Sequence, residues 1–345
     1  MLPSIRYATS NTRPRSRRHT SSNSSVIPIL DAPDPSNVTS RHHVTPRSTQ
    51  PSYSGMTSIH PAWLPETVWP YQIQHLPVGQ HLMAYTDAGH GPTLLLCHAG
   101  QWQFLWRDLI GRLRSSFRCV AFDPLGSGLS DRVPANLQSL TAVRDAIGHL
   151  IDHLDLRGIT LVLHDLGGVT ALAAAATRLH RLDGLVAANT FGWRPTGILL
   201  PGMLRIFGST AMRELDALTA FLPTATSTRL GVGRQLDRPS RKTFRSGMDR
   251  AARRTMHRLF RDAARDTEVC RQAETTLEHL RDRPALSIFG AWGDYLRFQS
   301  KWRARLPRIE QTVIPRGLHF PMCDNPTVMA ATIARWHQAN HRPTC

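Results

Sequence analysis

Three acid–base residues stand just past apolar runs of strand length: Asp165, Asp294 and His319. The most specific segment is Ile159-Thr-Leu-Val-Leu-His-Asp-Leu-Gly-Gly-Val169, where a buried-strand pattern ends in one acid, then two glycines, then an alanine-rich helical stretch. Gly167 and Gly168 permit the close backbone approach of a tight strand-to-helix turn. On such an elbow Asp165 would project from the top of a sheet as a nucleophile, with helix amides behind it facing developing negative charge. Capping that helix is the other use of an acid there, and this segment alone fits both. Downstream, Ile288-Phe-Gly-Ala-Trp-Gly-Asp294 ends a strand with an acid, and Gly317-Leu-His319-Phe-Pro321 follows the next one. An Asp, a later Asp and then a His, each at a strand end, is a nucleophile–acid–base order.

The elements that must position these residues are legible from about Pro65 onward. Apolar runs over 93–97, 119–122, 159–163, 185–188, 285–289 and 311–314 alternate with helical periodicity over 141–154, 169–179 and 326–338. Short apolar strands separated by helices imply a mostly parallel sheet covered on both faces. Between Gly192 and Pro284 the alternation stops, and only helical segments such as 250–265 and 267–280 occur; a helical insertion between consecutive strands is a lid. Before the sheet, 27 of the first 60 residues are Ser, Thr or Pro, too few apolar groups to offset the entropy of ordering. The expected organisation is a disordered extension over 1–64, a core over 65–191 and 284–340, and a helical cap over 192–283.

Two further strand ends complete the pattern: Leu94-Leu-Leu-Cys-His-Ala-Gly100, and Arg118-Cys-Val-Ala-Phe-Asp-Pro-Leu-Gly-Ser-Gly-Leu-Ser-Asp131. Together with the segments above, they make the chain resemble the α/β-hydrolases, in the branch with an Asp nucleophile that includes haloalkane dehalogenases and epoxide hydrolases. Asn189-Thr-Phe-Gly-Trp193 and His319-Phe-Pro-Met-Cys-Asp-Asn-Pro326 look most like the haloalkane dehalogenases. The resemblance covers roughly 68–340. It implies an eight-stranded-type α/β-hydrolase fold with the cap inserted after the sixth strand, and the triad Asp165–Asp294–His319. It implies attack by Asp165 on carbon to form an ester, and hydrolysis of that ester by water activated at His319, with Asp294 orienting the imidazole. Backbone amides of Leu166 and of Gly100 or Gln101 would receive the oxyanion or leaving group. Trp102, Trp106, Trp193 and Phe320 are candidates for the pocket wall. His98 and His164 are weaker candidates for the base, and Asp123 and Asp131 fit a structural turn.

Departures from the family bear on the substrate. The dehalogenase tryptophan after the nucleophile is Leu166 here, which has no side-chain donor, and the loop His98-Ala-Gly-Gln-Trp102 lacks the usual Asn. None of the five tyrosines falls in 192–283, where epoxide hydrolases carry their proton donors. The expected activity is dehalogenase-like hydrolysis of a small apolar substrate. Epoxide or ester-type hydrolysis, or ligand binding without catalysis, are the alternatives. Neither cofactor nor metal is expected.

Charge narrows the remaining classes. The 42 basic residues against 25 acidic ones give +17, yet Lys242 and Lys301 are the only lysines. Arginine spread along a whole chain at the expense of lysine points to compositional bias rather than a nucleic-acid surface. No apolar run reaches the ~18 residues of a membrane span. Five scattered cysteines without a CxxC suit a reducing compartment. The expectation is a soluble cytoplasmic protein, monomeric or weakly dimeric, without nucleic-acid or membrane partners.

Overall fold

The computed structural model describes residues 60–340. The extension expected over 1–64 lies outside the described residues as far as position 59, and Leu64 is fully buried, so the packed body begins before Pro65. Eight strands form one sheet: β1 (Gln74–Val78), β2 (His81–Ala88), β3 (Thr93–Cys97), β4 (Arg118–Phe122), β5 (Ile159–Asp165), β6 (Leu182–Thr190), β7 (Ala285–Gly290) and β8 (Glu310–Ile314). Their order is β1-β2-β4-β3-β5-β6-β7-β8. β2 runs antiparallel to β1 and β4, and every other pairing is parallel.

The central strands read as continuous apolar runs because both faces are covered; every residue of β3 and all but the last of β5 are buried. β1 and β2 escaped the sequence pattern. They form an edge hairpin whose mixed polar residues make no apolar run, and Val78 pairs with His81 across a two-residue turn at Gly79, φ +62°.

One face is covered by α1 (Arg107–Leu113), α11 (Pro321–Asp324) and α12 (Pro326–Asn340), the other by α2 (Leu140–His153), α3 (Gly167–Ala175) and α10 (Phe298–Arg305). Between β6 and β7 come α4 (Leu199–Phe207), α5 (Thr210–Thr219), α6 (Phe221–Thr226), α7 (Arg238–Ser246), α8 (Arg250–Ala263) and α9 (Thr267–His279), with no strand. The last of these differs from expectation. α9 packs along the wholly buried, small-residue helix α3, and Thr276 Oγ1 donates to the Leu172 carbonyl at 2.8 Å. α9 therefore covers the sheet, and the helices available to roof a site end with α8 rather than at 283. Among the described residues no helix is long and apolar enough to cross a membrane.

Candidate active site

β5 ends on Asp165 with φ +49°, a left-handed backbone that costs a non-glycine residue on the order of 1 kcal/mol. The surroundings over-determine it. A Cβ on Gly167 would lie 2.4 Å from the Cys97 carbonyl oxygen, and one on Gly168 would lie 2.1 Å from that of Phe191. Only glycine lets α3 start this close to the ends of β3 and β6. Thr190 Oγ1 donates to the Asp165 carbonyl at 2.6 Å. The bend turns the carboxylate out over the sheet, where Oδ2 lies 3.4 Å from His319 Nε2.

His319 sits in the loop after β8, and the loop is tied at two points. The Leu318 amide donates to Asp324 Oδ2 at 2.5 Å, and the His319 carbonyl is 3.0 Å from His164 Nε2. Burial works to raise the Asp165 carboxyl, but the hydrogen bond and charge of His319 outweigh it and hold the group below its usual range. His98 and His164 are fully buried, and desolvation drives both down to about 3, so both are neutral near pH 7. His98 Nδ1 is 3.1 Å from the Trp106 indole nitrogen. Among the described residues neither ring makes a hydrogen bond to Asp165.

Asp294 is placed differently from its expected role. Its Oδ1 accepts from the Phe298 amide at 2.6 Å and its Oδ2 from the Gln299 amide at 3.1 Å, at the start of α10. Among the described residues no hydrogen bond or ion pair joins it to His319. Burial raises its carboxyl despite those two amides. Asn189, at the end of β6 with φ +43°, accepts the Gly290 amide at 2.9 Å and ties β6 to β7. Asp123 is buried on the amides of Gln103 and Leu129, and burial pushes it up to about 6; it and Asp131, which accepts the Leu82 amide, shape their turn.

A cavity of about 220 Å³ lies above Asp165 and His319, lined by apolar residues of α4, by Leu222 of α6 and by Phe260 of α8. Phe320, a candidate for the pocket wall, lines it, and so does Gln101, which was expected instead to offer its backbone amide to the oxyanion or leaving group. Gln101 Nε2 reaches only the Met256 sulfur, at 3.8 Å, and its buried Oε1 has no hydrogen-bond partner. The three candidate tryptophans do not line it. Trp102 Nε1 donates to the Phe244 carbonyl at 3.0 Å, Trp106 serves His98, and Trp193 stacks among Phe191, Phe298 and Trp302. All three indoles are buried in packing away from the cavity, Trp102 against α7. Leu166 is buried at the start of α3, its amide beside the Asp165 carboxylate, and Gly100 turns the neighbouring loop with φ +90°.

Sequence reasoning missed Tyr295, Thr226 and Asn189 in the lining and Asp324 beneath the His319 loop. Tyr295 follows Asp294 directly and is 60% exposed; its partial burial, then the charge of Asp165, raises its hydroxyl. The one sequence signal for Asp324 was its position within the His319-to-Pro326 run. Among the described residues no group of three His, Cys, Asp or Glu side chains is placed to hold a metal ion.

A model of the alpha/beta hydrolase family matches residues 90–332. Haloalkane dehalogenase 2 of Mycobacterium tuberculosis is 30% identical over 285 residues, spanning 77% of this chain and 95% of that protein. Cis-3-alkyl-4-alkyloxetan-2-one decarboxylase of Xanthomonas campestris is 26% identical over 283 residues, 75% of this chain and 93% of its own. A crystal structure of a haloalkane dehalogenase from Bradyrhizobium elkani superposes with a TM-score of 0.66 at 20% identity, over 77% of this chain and 97% of that one.

Proposed function

The chain belongs to the α/β-hydrolase family and is similar to haloalkane dehalogenases, and on that footing we propose that it hydrolyses a small apolar electrophile through an ester formed on Asp165. One carboxylate oxygen attacks carbon, and the leaving group departs with the bonding electron pair. Water then attacks the carboxyl carbon of the ester while His319 takes its proton, releasing an alcohol and restoring the carboxylate. Helices α4 to α8 serve as the cap that excludes bulk water. The observation that carries this is a carboxylate on a strained elbow, 3.4 Å from one imidazole nitrogen, beneath an apolar cavity. The Phe298 and Gln299 amides take one lone pair on each Asp294 oxygen, which leaves acceptor capacity for an imidazole N–H.

Halide is the preferred leaving group by relationship. Intact-mass measurement of a His319→Ala variant exposed to a bromoalkane tests it: a trapped alkyl adduct at Asp165 with bromide released is expected. The absence of any adduct, or one that survives Asp165→Asn, would overturn the assignment.

A second reading is favoured by the lining itself. Among the described residues no indole donor borders the cavity, whereas Tyr295 does. An oxygen leaving group, as in a strained cyclic ether, needs a proton that a halide does not, and a phenol hydroxyl is the group there able to supply it. Tyr295→Phe in the His319→Ala background separates the two. Slower adduct formation with an epoxide and an unchanged rate with a bromoalkane would support the oxygen substrate. Equal rates would remove Tyr295 from the chemistry.

A further inference from the structure

Helix α4 is apolar on every side; among its residues only Arg205 carries a charge. A helix of that make-up is ordinarily covered all round. Its inner side is covered, since Leu200 and Leu204 are buried and line the cavity. Its other side is open. Leu199 and Ile206, two turns apart on one face, are exposed, and so is Ile198 just before them. In α5, which follows after Gly208 and Ser209, Leu215 and Leu218 are exposed as well. Of the ten large apolar residues exposed among the described residues, six lie between 198 and 230, a grouping that marks an interaction face rather than scattered surface side chains.

These side chains have no inner position to retreat to, because both helices are pinned to α8 from behind. Nδ1 of His257 in α8 lies 2.5 Å from the Phe207 carbonyl oxygen at the end of α4, and its Nε2 lies 3.0 Å from Oδ2 of Asp216 in α5. Arg253 donates to the Asp216 and Ala217 carbonyls at 3.0 and 2.9 Å. A Cβ on Gly208, between the two helices, would lie 2.5 Å from the Arg261 backbone.

Charge indicates what meets this face. Residues 192–250 carry nine arginines and one lysine against four acids. Each acid is already engaged: Glu214 pairs with Arg254, Asp216 meets His257, and Asp237 and Asp249 cap α7 and α8. Arg205, Arg229 and Arg250 are exposed and have no hydrogen bond or ion pair among the described residues. A second copy of the chain would set one basic excess against another, and the first 60 residues, with seven arginines and two aspartates, are basic too. An acidic protein is best held by aromatic anchors in pockets, whereas the exposed large apolar residues over 198–230 are all Ile or Leu. Aliphatic tips among arginines are what a helix lying in the headgroup layer of an anionic bilayer presents.

We propose that the outer faces of α4 and α5 dock on anionic lipid, so that the roof of the cavity rests in a membrane surface. The leucines and isoleucines enter the acyl boundary while the arginines meet phosphate oxygens. The expectation of no membrane partner rests on the lack of a spanning run, and attachment at the surface requires none. The inference does not depend on the chemistry assigned to Asp165.

Co-sedimentation of the full chain with phosphatidylcholine vesicles, made with and without phosphatidylglycerol, tests it. Wild type is expected to bind the phosphatidylglycerol vesicles, and to bind them about tenfold or more tighter than phosphatidylcholine alone. The triple variant Ile198→Ser, Ile206→Ser, Leu218→Ser is expected to lose about tenfold or more of that affinity at the same salt, and Arg205→Gln with Arg250→Gln several-fold. Val313→Ser with Val328→Ser, exposed on β8 and α12, should change nothing. Equal vesicle binding by wild type and the triple variant would reduce the effect to net charge and refute the docking face. So would a dimer, seen by sedimentation velocity, that the triple variant abolishes without vesicle binding. Loss of polyglutamate binding in place of vesicle binding would assign the face to an acidic protein and overturn the proposal. None of the substituted residues lines the cavity, so adduct formation at Asp165 in vesicle-free buffer should be unchanged, and a failure of that chemistry reads out separately.

Discussion

Two aspartates on one rim have different partners. At the end of β5, Asp165 takes a left-handed backbone, is boxed in by Gly167 and Gly168, and presents its carboxylate to the His319 imidazole, the Leu166 amide and the cavity. In the loop after β7, Asp294 accepts the Phe298 and Gln299 amides at the start of α10, one on each oxygen. The helix behind Asp165 begins at residue 167, directly under the backbone, whereas α10 begins four residues after Asp294, within reach of its side chain. Both acids accept backbone amides at the start of the following helix. What separates them is that Asp165 also has an imidazole nitrogen at 3.4 Å, whereas among the described residues no hydrogen bond or ion pair joins Asp294 to His319.

The sharpest way to break that contrast is Asp165→Asn. An amide is a far poorer nucleophile than a carboxylate, so single-turnover adduct formation should fall by about 10⁴ or more, and a surviving rate would remove the elbow from the mechanism. Next comes the elbow's scaffold. Gly168→Ala sets a methyl carbon 2.1 Å from the Phe191 carbonyl oxygen, and chemical denaturation should show a loss of about 2–4 kcal/mol or failure to fold. Wild-type stability would mean that α3 approaches the sheet less closely than described.

Asp294→Asn discriminates at the other strand end. As an anchor of α10 it should cost about 1 kcal/mol and lower turnover by less than about tenfold. A turnover loss near 10³-fold or more, with adduct formation intact, would show that Asp294 serves His319 after all.

Titration gives a smaller effect of opposite sign at the two ends. The carboxyl of Asp165 is held below its ordinary value, so its contribution is present above that ordinary value and is lost as pH falls through the folded one. Asp294 is held above its ordinary value, so its folded form binds the extra proton between the two values, and stability falls as pH rises through that window. Comparing the pH dependence of stability for wild type, Asp165→Asn and Asp294→Asn checks both signs. Smallest of all, Ile198→Ser and Leu218→Ser, at positions 92% and 71% exposed, should stay within about 0.5 kcal/mol by thermal unfolding.

Of the six parallel strands, β3 to β7 were legible because strands buried on both faces are apolar nearly throughout, and Leu94 to Cys97 or Leu161 to Leu163 admit little else, while β8, an edge strand with only Ile314 buried, was legible by its place in the alternation. β1 and β2 were not, since an edge hairpin carries polar residues on its open side. The elbow was legible through Gly167 and Gly168, whose missing side chains are a local requirement. The wall was not. Trp102, Trp106 and Trp193 are good lining residues by type, and only their layer in the fold sends them into the core. Tyr295 and Asn189 reach the cavity from strand ends that they share with more conspicuous neighbours.

By itself the sequence determined the parallel part of the sheet and the position of Asp165, because these follow from burial along a strand and from steric room at a turn, which depend on near neighbours in the chain; the α/β-hydrolase fold was implied by the resemblance of its strand-end motifs. Only tertiary structure decided that His319 meets Asp165 across 154 residues, that Asp294 faces α10 instead, that α9 leaves the roof for the sheet, and that His257 and Asp216 meet inside it. Each of those outcomes turns on which donor or acceptor another segment brings within 3 Å or so, and that competition is settled only when the whole chain has packed.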